Sequence, residues 1–200
     1  MSKSLLSVGE CMVELSPTAS GEYLRGFAGD TFNTAWYARR LLPDDWSVAF
    51  GTCIGTDAVS DEMATFIASE GLATAALRRV PDRTVGLYMI SLREGERSFS
   101  YWRGQSAAKC LADDTDWLAA TLHERNIIHF SAITLAILSP DRRHAFCAAV
   151  RFARANGSLI TFDTNLRPRL WAGADDMRAG VMLGASVADI ELMRASLPTH

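Results

Sequence analysis

The sequence predicts an α/β fold in which helices cover a mostly parallel β-sheet and a second, smaller sheet projects from the main body. Near both ends of the chain, short apolar runs alternate with segments of helical periodicity, which is typical of a parallel sheet. In between lie two blocks of β-rich residues whose alternate positions are polar. Strands of that kind do not suit the middle of a sheet covered on both faces, so we assign them to the smaller sheet.

The N-terminal segments predict a β-α-β unit of the main sheet. Residues 5–8 and 48–50 are short apolar runs that indicate buried strands. Between them, residues 31–42 carry apolar side chains at helical spacing, and Pro43 stops the helix. A second helix is predicted over residues 59–70.

Two separate pairs of segments predict the smaller sheet. Residues 84–92 and 98–102 are β-rich, and the polar, glycine-containing connector at 93–97 favours a hairpin. The stretches at 12–15 and 22–27 have a similar strand character. The smaller sheet is therefore inserted into the main body in two parts.

The second half of the chain returns to alternating helices and strands. Helices are predicted over residues 117–122, 140–155 and 175–183, and strands over residues 126–130, 158–162 and 187–193. This alternation continues the parallel sheet of the main body.

Charge and the length of the N-terminal apolar stretch argue against two classes of partner, nucleic acids and membranes. The 200 residues are 48% hydrophobic, which is enough for one substantial core. The net charge is -3 and no stretch has five consecutive basic residues, so a nucleic acid is not expected as a partner. The apolar stretch at residues 5–8 is too short for a signal peptide or a membrane span, so no membrane partner is expected.

The cysteines predict a reducing environment. Cys11, Cys53, Cys110 and Cys147 are widely spaced, form no C-x-x-C pair, and have no histidine at the spacing of a zinc site. We expect reduced, mostly buried thiols. The cytoplasm is the expected compartment.

A polar motif follows the predicted strand at 158–162. The string D-T-N-L-R-P-R-L-W places Asp163, Asn165 and Arg167 just beyond the C-terminal end of that strand, where open α/β sheets bind ligands. The amide can donate to and accept from hydroxyl groups, and the guanidinium fits a carboxylate or phosphate. The alternative is a turn that caps the next helix, with Pro168 ending the strand.

A second polar loop, G-D-T-F-N-T-A at residues 29–35, opens the first long helix. A helix N-terminus offers unpaired amides to anions and hydroxyl groups, and Gly29 permits close approach of the backbone. The alternative is that Asp30 or Thr31 is a simple N-cap. That alternative leaves the polar Asn33 of the first turn unexplained, so we favour a ligand-binding loop.

The third candidate is Tyr101-Trp102-Arg103, at the end of the second hairpin strand. Alternation places Tyr101 and Arg103 on one face and Trp102 on the other. Tyr88 joins the first face if the hairpin register allows it. The alternative is an exposed edge strand that carries an arginine to discourage strand pairing.

Other familiar catalytic motifs are absent from the sequence. It has no G-x-x-x-x-G-K-[ST], G-x-G-x-x-G, H-E-x-x-H or G-x-S-x-G string. Its four histidines share no metal-ligand spacing, and no metal ligands are predicted. We expect His129, at a strand end, to be a buried residue with satisfied hydrogen bonds rather than a catalyst.

Together these residues resemble the ribokinase-like (PfkB) carbohydrate kinases, and within them the subgroup that acts on 2-keto-3-deoxygluconate. The matching strings are Gly9-Glu10, G-D-T-F-N-T-A at 29–35, Gly55-Thr56-Asp57, Gly71-Leu72, Tyr101-Trp102-Arg103, Ser106-Ala107-Ala108 and D-T-N-L-R-P-R-L-W at 163–171. They are spread over essentially the whole chain. The strings Y-W-R and D-x-N-x-R-x-x-L-W are more specific than any glycine loop.

The resemblance implies a three-layer α/β/α Rossmann-like domain with the smaller sheet as a lid over the sugar. The main domain would comprise residues 1–10, 29–83 and 105–200, and the lid residues 11–28 and 84–104. The implied reaction is transfer of the γ-phosphoryl group of ATP, with Mg²⁺, to the primary hydroxyl of 2-keto-3-deoxygluconate. A homodimer formed through the lid is a further expectation.

The resemblance also implies which residues bind the neutral part of the sugar and the nucleotide. Gly29, Asp30 and Asn33 would hold the sugar hydroxyls. Asn165 and Arg167 would lie near the ATP phosphates.

A second implied group would bind the acidic end of the sugar. Tyr88, Tyr101 and Arg103 from the lid, with Arg167 from the strand end, would bind the keto acid. Two arginines suit a ligand with one carboxylate and would exclude neutral hexoses.

Two departures from the family pattern qualify these expectations. Ala28 stands where the family usually has the first glycine of Gly-Gly-Asp, and the methyl group is tolerated if Ala28 has a negative φ. The G-A-G-D segment with the family's catalytic aspartate does not occur up to His200, nor does the acidic N-x-x-E motif that helps order magnesium. We therefore expect the catalytic aspartate beyond His200, with the C-terminal portion of the sheet missing from this chain.

Three functions stay open at this point. The first is a kinase for 2-keto-3-deoxygluconate, of which this chain carries mainly the sugar-binding half. The second is a kinase of the same fold for a fructose, ribose or inositol-derived sugar. The third is a remnant that binds a sugar acid without transferring phosphate.

Overall fold

The computed structural model of the chain describes residues 3–93 and 96–192. Within them, a six-stranded sheet comprises β1 (Lys3–Val8), β4 (Trp46–Ile54), β5 (Leu77–Arg79), β8 (Ile127–Ser131), β9 (Leu159–Asp163) and β10 (Ile190–Leu192). The strand order is β10-β9-β8-β1-β4-β5, and neighbouring strands pair in parallel. The order reverses between β1 and β8, and open α/β sheets form their ligand crevice at such a switch point.

A second sheet of four strands, which we call the lid, comprises β2 (Met12–Pro17), β3 (Tyr23–Ala28), β6 (Gly86–Arg93) and β7 (Glu96–Trp102). Its order is β3-β2-β6-β7. The strands β2 and β6 pair in parallel, while β2 with β3 and β6 with β7 form antiparallel pairs. This arrangement results because the chain enters the lid twice from the main sheet and forms a hairpin each time.

Helices cover both faces of the main sheet. They are α1 (Asp30–Leu41), α2 (Ala58–Ser69), α3 (Thr115–Leu122), α4 (Ala132–Ala136), α5 (Pro140–Ala155) and α6 (Ala174–Ala185), with 3₁₀ turns at Ala107–Cys110 and Pro168–Leu170. On β4, Val48 and Phe50 belong to a core cluster with α1 and α2, whereas Ala49 and Cys53 belong to a cluster with α3 and α5. Because successive strand residues point to opposite faces, the two clusters lie on opposite sides of the sheet. The fold is therefore a three-layer α/β/α arrangement.

Most of the predicted elements are present, and the differences have simple causes. The helix predicted at 140–155 has those bounds, whereas β5 and α4 were not predicted because three and five residues are too short to show a period. The hairpin strands pair as far as Arg93 with Glu96, so the connector predicted at 93–97 was too long; residues 94 and 95 lie outside the described residues. The last predicted strand is shorter than expected, and its residue 193 also lies outside them.

Further expectations concern the cysteines and the membrane. All four cysteines are free and buried, as predicted. Among the helices of residues 3–93 and 96–192, none is long and apolar enough to cross a membrane.

Candidate substrate cleft

An open cleft of about 1430 Å³ lies at the carboxyl ends of the main strands and extends to the lid. Its walls include the N-terminal part of α1, the paired lid strands β6 and β7, and the segment after β9. The structure brings every predicted site residue to this one cleft. These residues are Gly29, Asp30, Asn33, Tyr88, Tyr101, Arg103, Asn165 and Arg167.

Gly29 allows the helix α1 to begin close to the strand end of β1. Its backbone is extended, and a Cβ atom at this position would lie 2.1 Å from the carbonyl oxygen of Glu10. Gly29 itself is the N-cap and no side chain caps the helix, so the alternative of Asp30 or Thr31 as a simple N-cap is wrong. Ala28 does not have a positive φ, which meets the condition set for its methyl group.

Asn165 connects the end of β9 to the start of α1. Its side-chain amide donates to the Asp30 carboxylate at 3.0 Å, and its backbone N–H donates to the Asp163 carboxylate at 3.0 Å. The second bond is the turn that the simpler interpretation expected, although Asp163 is the last residue of the strand and Pro168 does not end it. Asn165 is 3% exposed, and its Oδ1 accepts no hydrogen bond within the described structure. A ligand hydroxyl in the cleft can supply that missing donor.

The lid contributes an aromatic wall. Tyr88 and Tyr101 are directly paired between β6 and β7, and their ring centroids lie 5.8 Å apart. The register therefore places Tyr88 on the predicted face, while Trp102 does not line the cleft. The Tyr88 hydroxyl donates to Glu14 on β2, and burial together with that carboxylate raises the pKa of Tyr88.

Arg103 is not a free cation, because it forms an ion pair with Glu10. Glu10 is 2% exposed and also accepts a hydrogen bond from the Ser106 hydroxyl. Burial raises the pKa of Glu10, and Arg103 opposes that shift. Sequence reasoning missed this pair; the available signal was Glu10 itself, a charged residue two positions after the apolar run of β1.

Arg167 differs from Arg103 in having no carboxylate partner among the described residues. Its guanidinium donates to the backbone carbonyl of Leu166 at 2.8 Å, and no described carboxylate forms an ion pair with it. Arg97 on β7 and Arg169 in the 3₁₀ turn also line the cleft, were not predicted, and form no ion pair with a described carboxylate. Strand alternation from Arg103 back through Tyr101 was the signal for Arg97. The cleft thus has three arginines whose charge no described carboxylate offsets, which suits an anionic ligand.

His129 does not line the cleft; it is a buried residue with a hydrogen-bond partner. Its Nδ1 is 2.9 Å from the Thr161 hydroxyl, and burial lowers its pKa. Across residues 3–93 and 96–192, no three His, Cys, Asp or Glu side chains cluster in a way that could hold a metal ion.

The comparison with protein families decides the kinship of the chain. The model described as "pfkB family carbohydrate kinase" matches residues 2–191. The chain belongs to this family. The resemblance found in the sequence motifs is thereby confirmed.

Sequence relatives and solved structures agree with the PfkB assignment. A 2-dehydro-3-deoxygluconokinase of Dickeya dadantii is 39% identical over 180 residues, which are 88% of this chain and 58% of the relative. The crystal structure of a 2-dehydro-3-deoxygluconokinase from Thermotoga maritima has a TM-score of 0.83 at 19% identity, covering 96% of this chain and 59% of that chain. A fructokinase from Xylella fastidiosa with bound ATP has a TM-score of 0.82 at 25% identity, covering 96% and 57%.

Two facts follow for this PfkB chain. It has the ribokinase-like α/β fold expected from its motifs. It spans less than two thirds of the length of the relatives it matches.

Proposed function

We propose that the protein containing this chain is an ATP-dependent sugar-acid kinase. Its substrate would be 2-keto-3-deoxygluconate, also called 2-dehydro-3-deoxygluconate, and its product 2-keto-3-deoxy-6-phosphogluconate. This chain would supply mainly the sugar-binding half. The observation that supports the proposal is the cleft, whose lining combines polar groups from α1 and from the segment after β9 with lid aromatics and several arginines. The relative that is 39% identical and named for this reaction supports it.

In this proposal the hydroxyl groups of the sugar bind at the junction of α1 and β9. Gly29 lets the backbone come close, and Asp30 and Asn33 offer an acceptor and an amide. The unpartnered Oδ1 of Asn165 accepts from a hydroxyl of the ligand.

The acidic end of the sugar would bind between the lid and the segment after β9. Arg103 and Arg167 provide guanidinium groups, and Tyr88 and Tyr101 provide the adjoining wall. Arg167 has no described carboxylate partner, so its attraction for an anion is not offset locally. Arg103 contributes chiefly directed hydrogen bonds, because Glu10 offsets its charge.

The nucleotide would approach the other side of the same segment. Asn165 and Arg167 are our candidates for contacts with the ATP phosphates, since Arg167 is exposed at the start of the 3₁₀ turn. Bound ATP would supply the phosphoryl group, and Mg²⁺ would neutralise charge on it. The cytoplasm, which the four free thiols favour, would be the site of the reaction.

Two organisational features complete the proposal. We assign residues 1–10, 29–83 and 105–200 to the main domain and residues 11–28 and 84–104 to the lid. A homodimer could form through the outer face of the lid, where Trp102 is 58% exposed.

Phosphorylation of fructose is the second candidate, and the 25% identity to the Xylella fastidiosa fructokinase favours it. The two candidates differ in the charge of the substrate. A neutral hexose gives the arginines no carboxylate to bind, so affinity for the acid and for fructose separates them.

Calorimetry on the 200-residue chain tests the proposal. We expect 2-keto-3-deoxygluconate to bind at least about tenfold more tightly than fructose, since a charged hydrogen bond contributes about 1.5–3 kcal/mol. Tighter binding of fructose would support the second candidate. Failure of both sugars to bind would contradict the assignment of the cleft.

A further inference from the structure

Glu10 lies where the chain crosses between the main sheet and the lid. The chain makes four such crossings, after β1, before α1, before β6 and after β7. The carboxylate of Glu10 accepts hydrogen bonds from Arg103 and Ser106 on the fourth crossing. Its carbonyl oxygen would lie 2.1 Å from a Cβ at Gly29, and its Oε1 would lie 3.0 Å from a Cβ at Gly86. All four crossings therefore meet around this one residue.

The contact with Glu10 restricts the orientation of the Arg103 guanidinium. Arg103 follows the last residue of β7, and its side chain is 12% exposed. Through one terminal nitrogen it contacts Glu10, which is its hydrogen-bond partner among the described residues. A guanidinium is planar with five N–H donors, so a carboxylate on one edge fixes where the others point. Arg103 lines the cleft, and no hydrogen bond from its other guanidinium nitrogens is present among the described residues, so those donors are available to a ligand bound there.

We propose that Glu10 is a positioning residue for the acidic substrate, acting through Arg103. This inference rests on the proposed function. Glu10 holds one edge of the guanidinium and keeps the other donors directed at the carboxylate of the ligand. Glu10 borders the cleft, but its side chain is 1% exposed and both carboxylate oxygens already accept hydrogen bonds, from Arg103 and Ser106, so it acts on the ligand through Arg103. Without it, a long and flexible side chain would lose conformational freedom when the ligand binds.

A purely structural role for Glu10 makes a different prediction. If Glu10 only stabilised the fold, its loss would lower the free energy of unfolding while the folded chain bound the ligand as before. A positioning role predicts that a variant without Glu10 binds the ligand more weakly although it is still folded. It also predicts that Glu10 has no effect once Arg103 is gone.

The test is a double-mutant cycle in the 200-residue chain, with the Kd for 2-keto-3-deoxygluconate measured by calorimetry. Glu10→Ala and Arg103→Ala are each expected to raise Kd by about tenfold or more, the usual effect of losing a hydrogen bond to a charged group. The double variant is expected to be no weaker than the weaker single variant, because both changes remove one interaction. Additive effects would overturn the inference.

Two conservative variants separate position from charge and guard against misfolding. Glu10→Gln keeps the length and one acceptor oxygen, so Kd is expected to stay within about threefold of the parent value. Glu10→Asp keeps the charge but is one methylene shorter, so we expect it to resemble Glu10→Ala. The opposite order would show that charge rather than position matters and would overturn the inference. Circular dichroism verifies that each variant is folded.

Glu62→Gln is the matched control. It removes a different ion pair between lid and main domain, with Arg25, and neither residue lines the cleft. We expect its Kd to equal that of the parent chain. If Glu62→Gln raised Kd as much as Glu10→Ala does, any contact that attaches the lid would affect binding, and the specific role of Glu10 would be refuted. Failure of the parent chain to bind the acid would refute the proposed function and this inference together, whereas normal binding with an additive cycle refutes the inference alone.

Discussion

Asn165 donates its side-chain amide to the carboxylate of Asp30 over 3.0 Å, which joins the end of β9 to the first turn of α1. The two residues are 135 positions apart in the chain. The same amide keeps its Oδ1 buried without a hydrogen-bond donor in the described structure. Since a buried acceptor without a partner is destabilising, a ligand hydroxyl that reached this oxygen would gain affinity.

Replacement of Asn165 is therefore expected to lower both the stability of the fold and the affinity for the ligand, and an aspartate is expected to do more harm than an alanine. Asn165→Ala is expected to lower the free energy of unfolding by about 1 kcal/mol and to weaken binding of the sugar acid several-fold. Asn165→Asp is expected to cost more, because it places a second carboxylate against Asp30. Urea unfolding and calorimetry measure the two effects. Stability and affinity equal to those of the parent in both variants would contradict a role for this bond.

The periodic patterns of the sequence predicted the long elements well and the short ones poorly. Sixteen residues of α5 show several helical turns, so its bounds could be predicted. The strand β5 is only three residues long, and it forms by pairing with β4, which lies more than twenty residues earlier in the chain. Tertiary context determines such an element, and no local pattern reveals it.

The candidate site was predictable to the extent that it lies at strand and helix ends. Asn165, Arg167 and Gly29 follow or precede periodic segments, so their place at the edge of the sheet could be deduced. The pairing of Arg103 with Glu10 could not be deduced, because the two residues are 93 positions apart and local spacing does not show which distant side chains meet; the sequence showed only that a charged residue follows the apolar run of β1. Arg97 could have been found by extending the strand alternation four residues further.

Gly29 and Gly173 form a matched pair for testing close backbone approach. Both are helix N-caps with extended backbone, but a Cβ at Gly29 would meet the Glu10 carbonyl at 2.1 Å, whereas at Gly173 it would meet nothing within 4 Å. We expect Gly29→Ala to lower the free energy of unfolding by about 1–3 kcal/mol, typical of overpacking. Gly173→Ala is expected to change it by less than about 1 kcal/mol. Urea denaturation measures both, and equal losses would contradict the steric argument.

The four buried cysteines are expected to be unreactive in the folded chain. Burial raises the pKa of Cys53 and of Cys147 to about 12, and it raises the pKa values of Cys11 and Cys110 as well. Since the thiolate is the nucleophile, a thiol reagent at about pH 8 should label none of them quickly. All four should react after denaturation. Rapid labelling of a native thiol, read by mass spectrometry, would contradict the buried placement of that residue.

Because His129 is buried, we expect the folded chain to lose stability in mild acid. Burial lowers its pKa below the ordinary value of 6.5, so the unfolded chain takes up a proton at a higher pH than the folded chain. The contribution of this residue is constant above that value and falls as the pH drops below it. We expect the free energy of unfolding of the parent chain to decrease by up to about 1.4 kcal/mol per pH unit relative to His129→Gln. Parallel pH profiles from urea unfolding would show that burial of His129 does not matter.

Arg167 tests whether the cleft recognises the acid. Its guanidinium bonds to a backbone carbonyl and to no described carboxylate, so its charge can attract the ligand. Arg167→Ala is expected to raise the Kd for 2-keto-3-deoxygluconate about tenfold or more and to leave fructose affinity nearly unchanged. Arg167→Lys should recover only part of the loss, because the ammonium lacks the planar fork.

The control for charge alone is Arg178→Ala, on α6 and away from the cleft lining. It removes one positive charge from an exposed ion pair with Asp175 and is expected to leave both affinities unchanged. Added salt should weaken acid binding in the parent more than in Arg167→Ala, since screening acts on the charge that the variant has lost. If Arg167→Ala lowered the affinities for the acid and for fructose equally, the residue would bind a hydroxyl or support the loop, and recognition of the carboxylate would have to come from the other arginines.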